Sequence, residues 1–319
     1  PEPPSTLSAT GAFSDLASLT PRSGVMPYDL VQPLWSDGAD KKRWIAIPND
    51  GTPDTAAEKI QFSENEPWTF PIGTVLIKHF EISGRRLETR FFVHGSDGKY
   101  FGFTYKWRPD NSDADLLPGP PVEETIDLGG GESVEWHFPG RTECFICHTD
   151  AAKTVLGPKT RHLNREIFYP TTGRAANQLL TLSELGFFDT TLAPPAISTF
   201  LTSANVNDTT ESLDRRARAY LDINCSQCHR PNGPTQAQFD ARLTVPPNFQ
   251  NIINVEPTNP LTLADPKLVE PDNVLNSILH IRMSSLDGCC AMPPLAKNAI
   301  DTDAVNTVAE WIRSLDPAI

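Results

Sequence analysis

The sequence predicts an α+β protein of more than one domain, with an antiparallel β module first and a mainly α-helical region after it. Three observations support this fold class. The chain has 319 residues, which is more than one hydrophobic core usually serves. Short β-branched and aromatic runs separated by turn residues fill the stretch 44–137. Helix-like patterns follow residue 141, so we expect domains at 1–140, 141–205 and 206–319.

The β module is predicted from the runs 75–82, 90–94 and 100–107, which are rich in residues that favour strands. Turn residues recur between these runs at intervals that suit a sandwich or a small barrel. Aromatic residues in such runs usually form a core rather than a ligand groove. His79 shares a strand face with Ile77, so we expect it to point inward if Ile77 does.

Two helices are predicted in the last domain, one near its beginning and one at its end. A polar run at 202–210 marks a boundary, and Ser212 can then cap a helix that leads to Cys225. Near the C-terminus, Asp301 or Thr302 can cap a helix whose apolar residues recur every three or four positions.

The sequence contains two copies of C-x-x-C-H, the attachment signature for c-type haem, at residues 144–148 and 225–229. Two thiols three residues apart can both reach one edge of a porphyrin, and the adjacent imidazole then lies under the iron. A zinc ribbon would place its second cysteine pair much closer to the first, and a thioredoxin pair would need a βαβ pattern. We therefore expect two covalently bound haem c groups. The attachment residues are Cys144, Cys147, His148, Cys225, Cys228 and His229.

The second haem has a predicted ligand on each side of the iron. His229 is the proximal ligand, and Met292 is the distal candidate because Pro293 and Pro294 stiffen the loop that presents its thioether. Met283 competes with it, but Met283 lies in an apolar stretch that is typical of a core. Ligation by His and Met would leave no site for a substrate at this iron.

The first haem has His148 as proximal ligand, but its sixth ligand stays open. His162 follows the first motif closely, and His79 points inward if its strand face does. A lone histidine is more often a structural residue than a ligand. The sixth position could also be filled by His94, His137, His280 or Met26, or be left as an open site.

Two further cysteines, Cys289 and Cys290, are adjacent and belong to neither motif. They could form a vicinal disulfide, pair between chains or remain thiols. We expect the vicinal disulfide, which would stiffen the turn that presents Met292.

A helix that leads into C-x-x-C-H, a Met-Pro-Pro loop and a closing helix resemble a class I cytochrome c domain in their order. More broadly, nearly the whole chain resembles a family of secreted bacterial dihaem c-type cytochromes, whose modules are also fused to sugar-dehydrogenase-like β-propellers. Besides the Met-Pro-Pro tail, the stretches that carry this resemblance are 27–30, 33–39, 70–75, 163–165 and 177–179. The resemblance implies electron transfer and a mainly α-helical dihaem cytochrome c region after the β module.

The resemblance also implies a periplasmic or extracellular protein whose signal peptide has been removed. The Pro-rich N-terminus could be a spacer behind a lipid anchor, but such segments are more often plain flexible termini. No run approaches the roughly 18 apolar residues that span a bilayer. The formal net charge of −13 excludes nucleic acid as a natural partner.

We expect an electron carrier rather than an enzyme, with a secreted dehydrogenase as donor and another cytochrome or an oxidase as acceptor. A second hypothesis is a dihaem peroxidase or oxygenase with an open first haem. A third hypothesis is an assembly protein, whose β module binds polysaccharide, a partner or the next cytochrome.

Overall fold

The computed structural model describes residues 2–51, 55–237 and 239–318. The chain forms two compact units, both discontinuous in sequence, whereas the predicted domain ranges are contiguous stretches. Unit 1 comprises Pro1–Leu30, Ala39–Ile146 and Pro158–Thr202. Unit 2 comprises Val31–Gly38, Cys147–Gly157 and Ser203–Ile319.

The strands of the described chain all belong to unit 1. In chain order they are β1 Phe13–Asp15, β2 Thr20–Pro21, β3 Met26–Tyr28, β4 Asp40–Ala46, β5 Val75–Ile82, β6 Arg85–His94, β7 Tyr100–Trp107, β8 Ala114–Leu116, β9 Val122–Gly129, β10 Glu132–Phe138, β11 Glu166–Tyr169 and β12 Arg174–Asn177.

The helices of the described ranges are short, although both helices predicted for the last domain are present. They are α1 Cys144–Cys147, α2 Thr160–Leu163, α3 Gln178–Glu184, α4 Pro194–Ile197, α5 Leu213–Cys225, α6 Ile278–Met283 and α7 Thr302–Ser314. Short 3₁₀ turns occur at Ser8–Thr10, Ala56–Glu58, Asp150–Ala152, Pro247–Phe249 and Val274–Asn276.

The main sheet of unit 1 has six antiparallel strands in the order β3-β4-β5-β6-β7-β8. An antiparallel β module is therefore present, as predicted. Because side chains alternate along a strand, one face of this sheet carries Trp44, Ile77, Phe91 and Tyr105, which are buried in one core cluster. His79 lies on this same face and is 0% exposed, so the prediction that it points inward is confirmed.

The opposite face of the sheet is covered in part by the hairpin of β9 and β10. Trp136 in this hairpin lies 5.9 Å from Phe80, measured between ring centroids, and its indole N–H donates to Glu88 Oε1 at 3.0 Å. These contacts bury a second core cluster. Both faces of the sheet are therefore packed against other parts of unit 1.

Unit 2 is built around α5 and α7, whose apolar faces share one core cluster with the loops between them. The hydroxyl of Ser212 accepts a hydrogen bond from Arg215 N at 3.2 Å, and the carboxylate of Asp301 accepts one from Ala304 N at 3.0 Å. Both caps satisfy backbone N–H groups that a helix start leaves unpaired, and both were predicted from the sequence.

The prediction of a mainly α-helical cytochrome c region after residue 141 is wrong. Strands make up 24% of the chain and helices 21%, so the protein is β-rich. Among the described residues only α3, α5 and α7 are longer than six residues. Proline explains much of this difference, because it removes a backbone donor and clashes within a helix. Between α5 and α6 the prolines are Pro231, Pro234, Pro246, Pro247, Pro257, Pro260, Pro266 and Pro271.

None of the helices in the described ranges combines the length and the apolar character that crossing a bilayer requires.

Candidate functional site

The second C-x-x-C-H motif begins at the last residue of α5, in unit 2. The chain turns there, because the backbone N–H groups of Cys228 and His229 both donate to Cys225 O, at 3.1 and 2.9 Å. This turn brings Cys225 and His229 to the wall of one cavity of about 350 Å³. A cavity of that volume lies within the usual range for small-molecule and cofactor pockets.

The walls of this cavity are mostly apolar. The imidazole of His229 stacks on Phe239, with 4.1 Å between ring centroids and 19° between planes. Burial lowers the pKa of His229 to about 4, so the imidazole is neutral at pH 7, which is the form that binds a metal. Other apolar lining residues are Tyr220, Ile252, Leu268, Ile278 and Leu279.

Both methionines considered for the second haem line this cavity. Met283 is the last residue of α6 and is 6% exposed, within the core cluster of unit 2. Met292 lies on the loop between α6 and α7, and its N–H donates to Arg282 O at 3.0 Å. The structure thus brings the predicted residues Cys225, His229 and Met292 together with Met283.

Lys297 is a cavity-lining residue that the sequence patterns do not reveal. Its ammonium nitrogen lies within hydrogen-bond distance of four backbone carbonyls, which share its three N–H donors: Met283 O at 2.6 Å, Ser285 O at 2.9 Å, Met292 O at 3.1 Å and Arg282 O at 3.3 Å. Burial lowers the pKa of Lys297, and the carboxylate of Asp37 opposes that shift. No sequence pattern marks a lysine that binds carbonyls in this way.

The segment Val31–Gly38 also belongs to unit 2, although it precedes the rest of that unit by more than a hundred residues. Trp35 lines the cavity, its N–H donates to Asn224 Oδ1 at 2.8 Å, and its indole N–H donates to Ala299 O at 3.1 Å. Asp37 Oδ1 accepts hydrogen bonds from Asn298 N and Ala299 N, both at 2.9 Å. In the sequence, this segment is noted only among the stretches that carry the family resemblance, and no contact of Trp35 or Asp37 with the site is predicted from it.

The first motif begins in unit 1, where α1 carries Cys144. A Cβ atom added to Gly102 of β7 would lie 2.5 Å from Cys144 Sγ, so only glycine fits beneath this thiol. Phe145 lies 6.1 Å from Phe92, the residue paired with Gly102 across the strands. The first attachment cysteine therefore rests on the sheet face that Gly102 and Phe92 share.

The end of the first motif lies in unit 2. Nδ1–H of His148 donates to Thr154 O at 2.7 Å, because a carbonyl oxygen can only accept. Histidines that bind metals commonly make this kind of hydrogen bond to a backbone carbonyl.

The structure of unit 2 also places the end of the first motif beside the second motif. The hydroxyl of Thr149 donates to Gln227 O at 2.7 Å. Burial raises the pKa of Cys228 to about 11, and the nearby thiol of Cys147 adds to this rise. Groups attached through Cys147 and through Cys228 would therefore be held close together.

The two histidines predicted as distal candidates for the first haem both lie in unit 1. His162 is buried in α2. His79 is in β5, where Nδ1 lies 2.9 Å from Thr89 Oγ1 and Nε2 lies 3.2 Å from Glu81 Oε2. A ligand role for His79 stays a prediction, and it requires one of these hydrogen bonds to be replaced by an iron bond.

Four more side chains that could ligate the first iron are distributed over several elements. His94 ends β6, His137 lies in β10 with its ring nitrogens bonded to Glu123 and Glu143, His280 lies in α6, and Met26 begins β3.

Cys289 and Cys290 are both free thiols, so the expected vicinal disulfide is not formed. Their sulfur atoms and a carboxylate oxygen of Asp287 all lie within 4.8 Å of one another. The backbone N–H of Cys290 donates to Asp287 O at 2.8 Å. Hydrogen bonding within the Asp287 turn, rather than a disulfide, shapes the chain before Met292.

Comparisons with family models, with curated proteins and with solved structures each found no match for this chain. The site must therefore be judged on its own chemistry. The cavity of unit 2 brings together thiol, imidazole and thioether groups within apolar walls. These are the groups that attach and ligate a c-type haem, so the residues present fit that cofactor.

Proposed function

We propose that this protein is a c-type cytochrome that binds two haem groups covalently and transfers single electrons between extracytoplasmic redox partners. The cavity of unit 2 carries this proposal, because Cys225, His229 and Met292 all line it. A bound haem c would supply an iron that cycles between its ferrous and ferric states.

The residues of unit 2 favour an electron carrier over a catalyst. His229 and Met292 would both ligate the iron of a bound haem, which would leave no place there for a substrate. A thioether ligand from Met292 would favour the ferrous state of the iron and so raise the reduction potential. The apolar side chains of Phe239, Leu268 and Leu279 in the cavity wall would reduce contact of a bound haem with water, which would act in the same direction.

The neighbouring attachment points support transfer between two haems. The hydrogen bond from Thr149 to Gln227 ties the segment after His148 to the interior of the second motif. Cys147 and Cys228 lie close enough for one thiol to affect the pKa of the other. An electron arriving at one attached group would thus have a short path to the next.

The proposed partners are redox proteins, namely a dehydrogenase as donor and a cytochrome or an oxidase as acceptor. The net charge of −13 favours docking surfaces that are neutral or basic. Covalent attachment of haem c takes place outside the bacterial cytoplasm, so the proposed location of the protein is the periplasm or the extracellular space of a bacterium.

The test is intact-mass analysis of the native protein, followed by peptide mapping and a redox titration. We expect two tetrapyrroles, one on the peptide with Cys144 and Cys147 and one on the peptide with Cys225 and Cys228. Changing Cys225 and Cys228 to alanine should remove one haem, whereas the same change at Cys289 and Cys290 should remove none. Finding no tetrapyrrole on either peptide would refute the proposal. If the first haem is high-spin and reacts rapidly with peroxide, the protein is a peroxidase and not an electron carrier.

A further inference from the structure

We infer that Lys297 and Asp37 are positioning residues that hold the Met292 loop, and so decide that Met292 rather than Met283 ligates the iron. This inference rests on the proposed function, and it concerns residues that neither motif contains. Hydrogen bonds within unit 2 support it.

Lys297 joins the end of α6 to the Met292 loop. The last carbonyls of a helix have no partner within the helix, and a lysine near a helix C-terminus can satisfy them. Lys297 does so for Arg282 O and Met283 O, while it also donates to Met292 O. One ammonium group therefore fixes the backbone of both methionines.

Asp37 holds the other end of the same loop. Its side chain is buried, with the residue 7% exposed, and its Oδ1 accepts the N–H groups of Asn298 and Ala299. These two residues directly follow Lys297. A carboxylate that accepts two backbone donors makes strong, charge-assisted hydrogen bonds. Lys297 and Asp37 thus fix the loop from Met292 to Ala299 at both of its ends.

Trp35 connects this loop to the helix that carries the attachment cysteine. Its backbone N–H binds Asn224, the residue before Cys225, and its indole N–H binds Ala299 O. The segment from Trp35 to Asp37 therefore sets the spacing between the Cys225 side of the cavity and the Met292 loop. These hydrogen bonds all join Lys297 and Asp37 to backbone atoms, and none of them involves the Met292 thioether. Both residues therefore act on Met292 through the backbone of its loop.

We call Lys297 and Asp37 together the clamp. Its role is to make the thioether of Met292 a better iron ligand than the thioether of Met283. Met283 lines the same cavity, and its side chain is already used in the core cluster of unit 2. When the Met292 loop is fixed, ligation of a bound iron by the Met292 thioether would need little further ordering of the chain. When the loop is released, Met283 or an added ligand can compete for the same position.

The experiment uses the full-length native protein with Lys297→Gln and Asp37→Asn, and Lys267→Gln as the matched control. Lys267 pairs with Asp265 at the surface and does not line the cavity. The readouts are the charge-transfer band of thioether-ligated ferric haem, the reduction potential of the second haem, and the affinity of the ferric protein for imidazole. Met292→Leu defines the signal of a lost thioether ligand.

We expect Lys297→Gln and Asp37→Asn each to weaken the thioether band, to lower the reduction potential and to increase the affinity for imidazole at least about tenfold. The loss of one charge-assisted hydrogen bond is of that order. Lys267→Gln should match the parent protein. Lys297→Arg should restore part of the band because it keeps a charged donor. If Lys297→Gln does not fold, the same three measurements on Asp37→Asn and Lys297→Arg test the inference.

The failure of this inference differs from the failure of the proposed function. Suppose that peptide mapping finds haem at Cys225 and Cys228 while Lys297→Gln and Asp37→Asn both leave the thioether band, the potential and the imidazole affinity unchanged. That result would refute the role of the clamp, and the proposed cytochrome function would still hold. If Met283→Leu rather than Met292→Leu abolishes the band, the assignment of the ligand is refuted. If no haem is attached, the proposed function itself fails.

Discussion

Gly102 offers a direct test of how the first attachment motif rests on the sheet of unit 1. In Gly102→Ala the new Cβ would lie 2.5 Å from Cys144 Sγ and 3.3 Å from Cys144 Cβ. Real Cβ atoms do not approach a sulfur so closely, so the Cys144 side chain must rotate or α1 or β7 must shift. Overpacking of this kind costs about 1–3 kcal/mol. Because the clash is with the attaching sulfur itself, we expect incomplete haem attachment at Cys144 as well as reduced stability.

The matched control is Gly119→Ala, since a Cβ there would meet only Arg141 Cδ, at 3.9 Å. Urea unfolding measures the stability loss, and peptide mapping by mass spectrometry measures attachment at Cys144. Gly102→Ala should lower the free energy of unfolding by about 1–3 kcal/mol, whereas Gly119→Ala should change it by less than about 0.5 kcal/mol. Equal stability and full attachment in both variants would refute the placement of Cys144 over Gly102.

Three further predictions concern single contacts. Thr149→Val removes the hydrogen bond to Gln227 O and also the weaker one that the hydroxyl accepts from Ala152 N at 3.3 Å. It should lower the stability of unit 2 by about 1 kcal/mol or more in urea unfolding, with slower electron exchange between the haems. Ser212→Ala removes the cap on Arg215 N and should cost about 1 kcal/mol, whereas Ser212→Asp should cost little. Burial lowers the pKa of His79 from 6.5 to about 4, so between these values the unfolded chain binds a proton that the folded chain does not. The free energy of unfolding should therefore fall by about 1–3 kcal/mol on acidification through that range, and His79→Gln should flatten the dependence; a pH profile unchanged by His79→Gln would contradict this.

Local patterns allowed several features to be predicted from the sequence. The caps at Ser212 and Asp301 depend on residues within three positions of each other. The inward direction of His79 follows from the two-residue period of a strand. The antiparallel β module was predicted from runs of residues that favour strands. Each of these features depends on neighbours in the sequence, and for that reason each could be predicted.

The helical content could not be predicted in the same way, because the order of motifs says little about the segments between them. Helix formation needs a run of residues without interruption, and prolines interrupt the stretch between α5 and α6 repeatedly. The hairpin of β11 and β12 also lies where helices were expected. Resemblance to a helical domain therefore led to more helix than the residues can form.

The positioning contacts of the site are long-range, which explains why the sequence did not indicate them. Asp37 bonds Asn298 and Ala299, and Trp35 bonds Asn224, across most of the chain. The carbonyl partners of Lys297 lie at the end of α6 and on the Met292 loop, and only the tertiary structure brings these two segments together around its ammonium group. Ligand types can be identified from short motifs, but the groups that hold the ligands are selected by tertiary structure.

The architecture of unit 2 leads to a last prediction, on stability. Its cavity of about 350 Å³ lies beside the core cluster that α5 and α7 share, so an attached group would complete that core. At about 24 cal/mol per Å³, an unfilled apolar volume of this size costs at most about 8 kcal/mol, and less where water enters. Changing Cys225 and Cys228 to alanine should therefore increase hydrogen exchange throughout α5 and α7, while β5 and β6 of unit 1 keep their protection. Equal protection of α5 and α7 with and without these cysteines would show that unit 2 folds independently of any attached group.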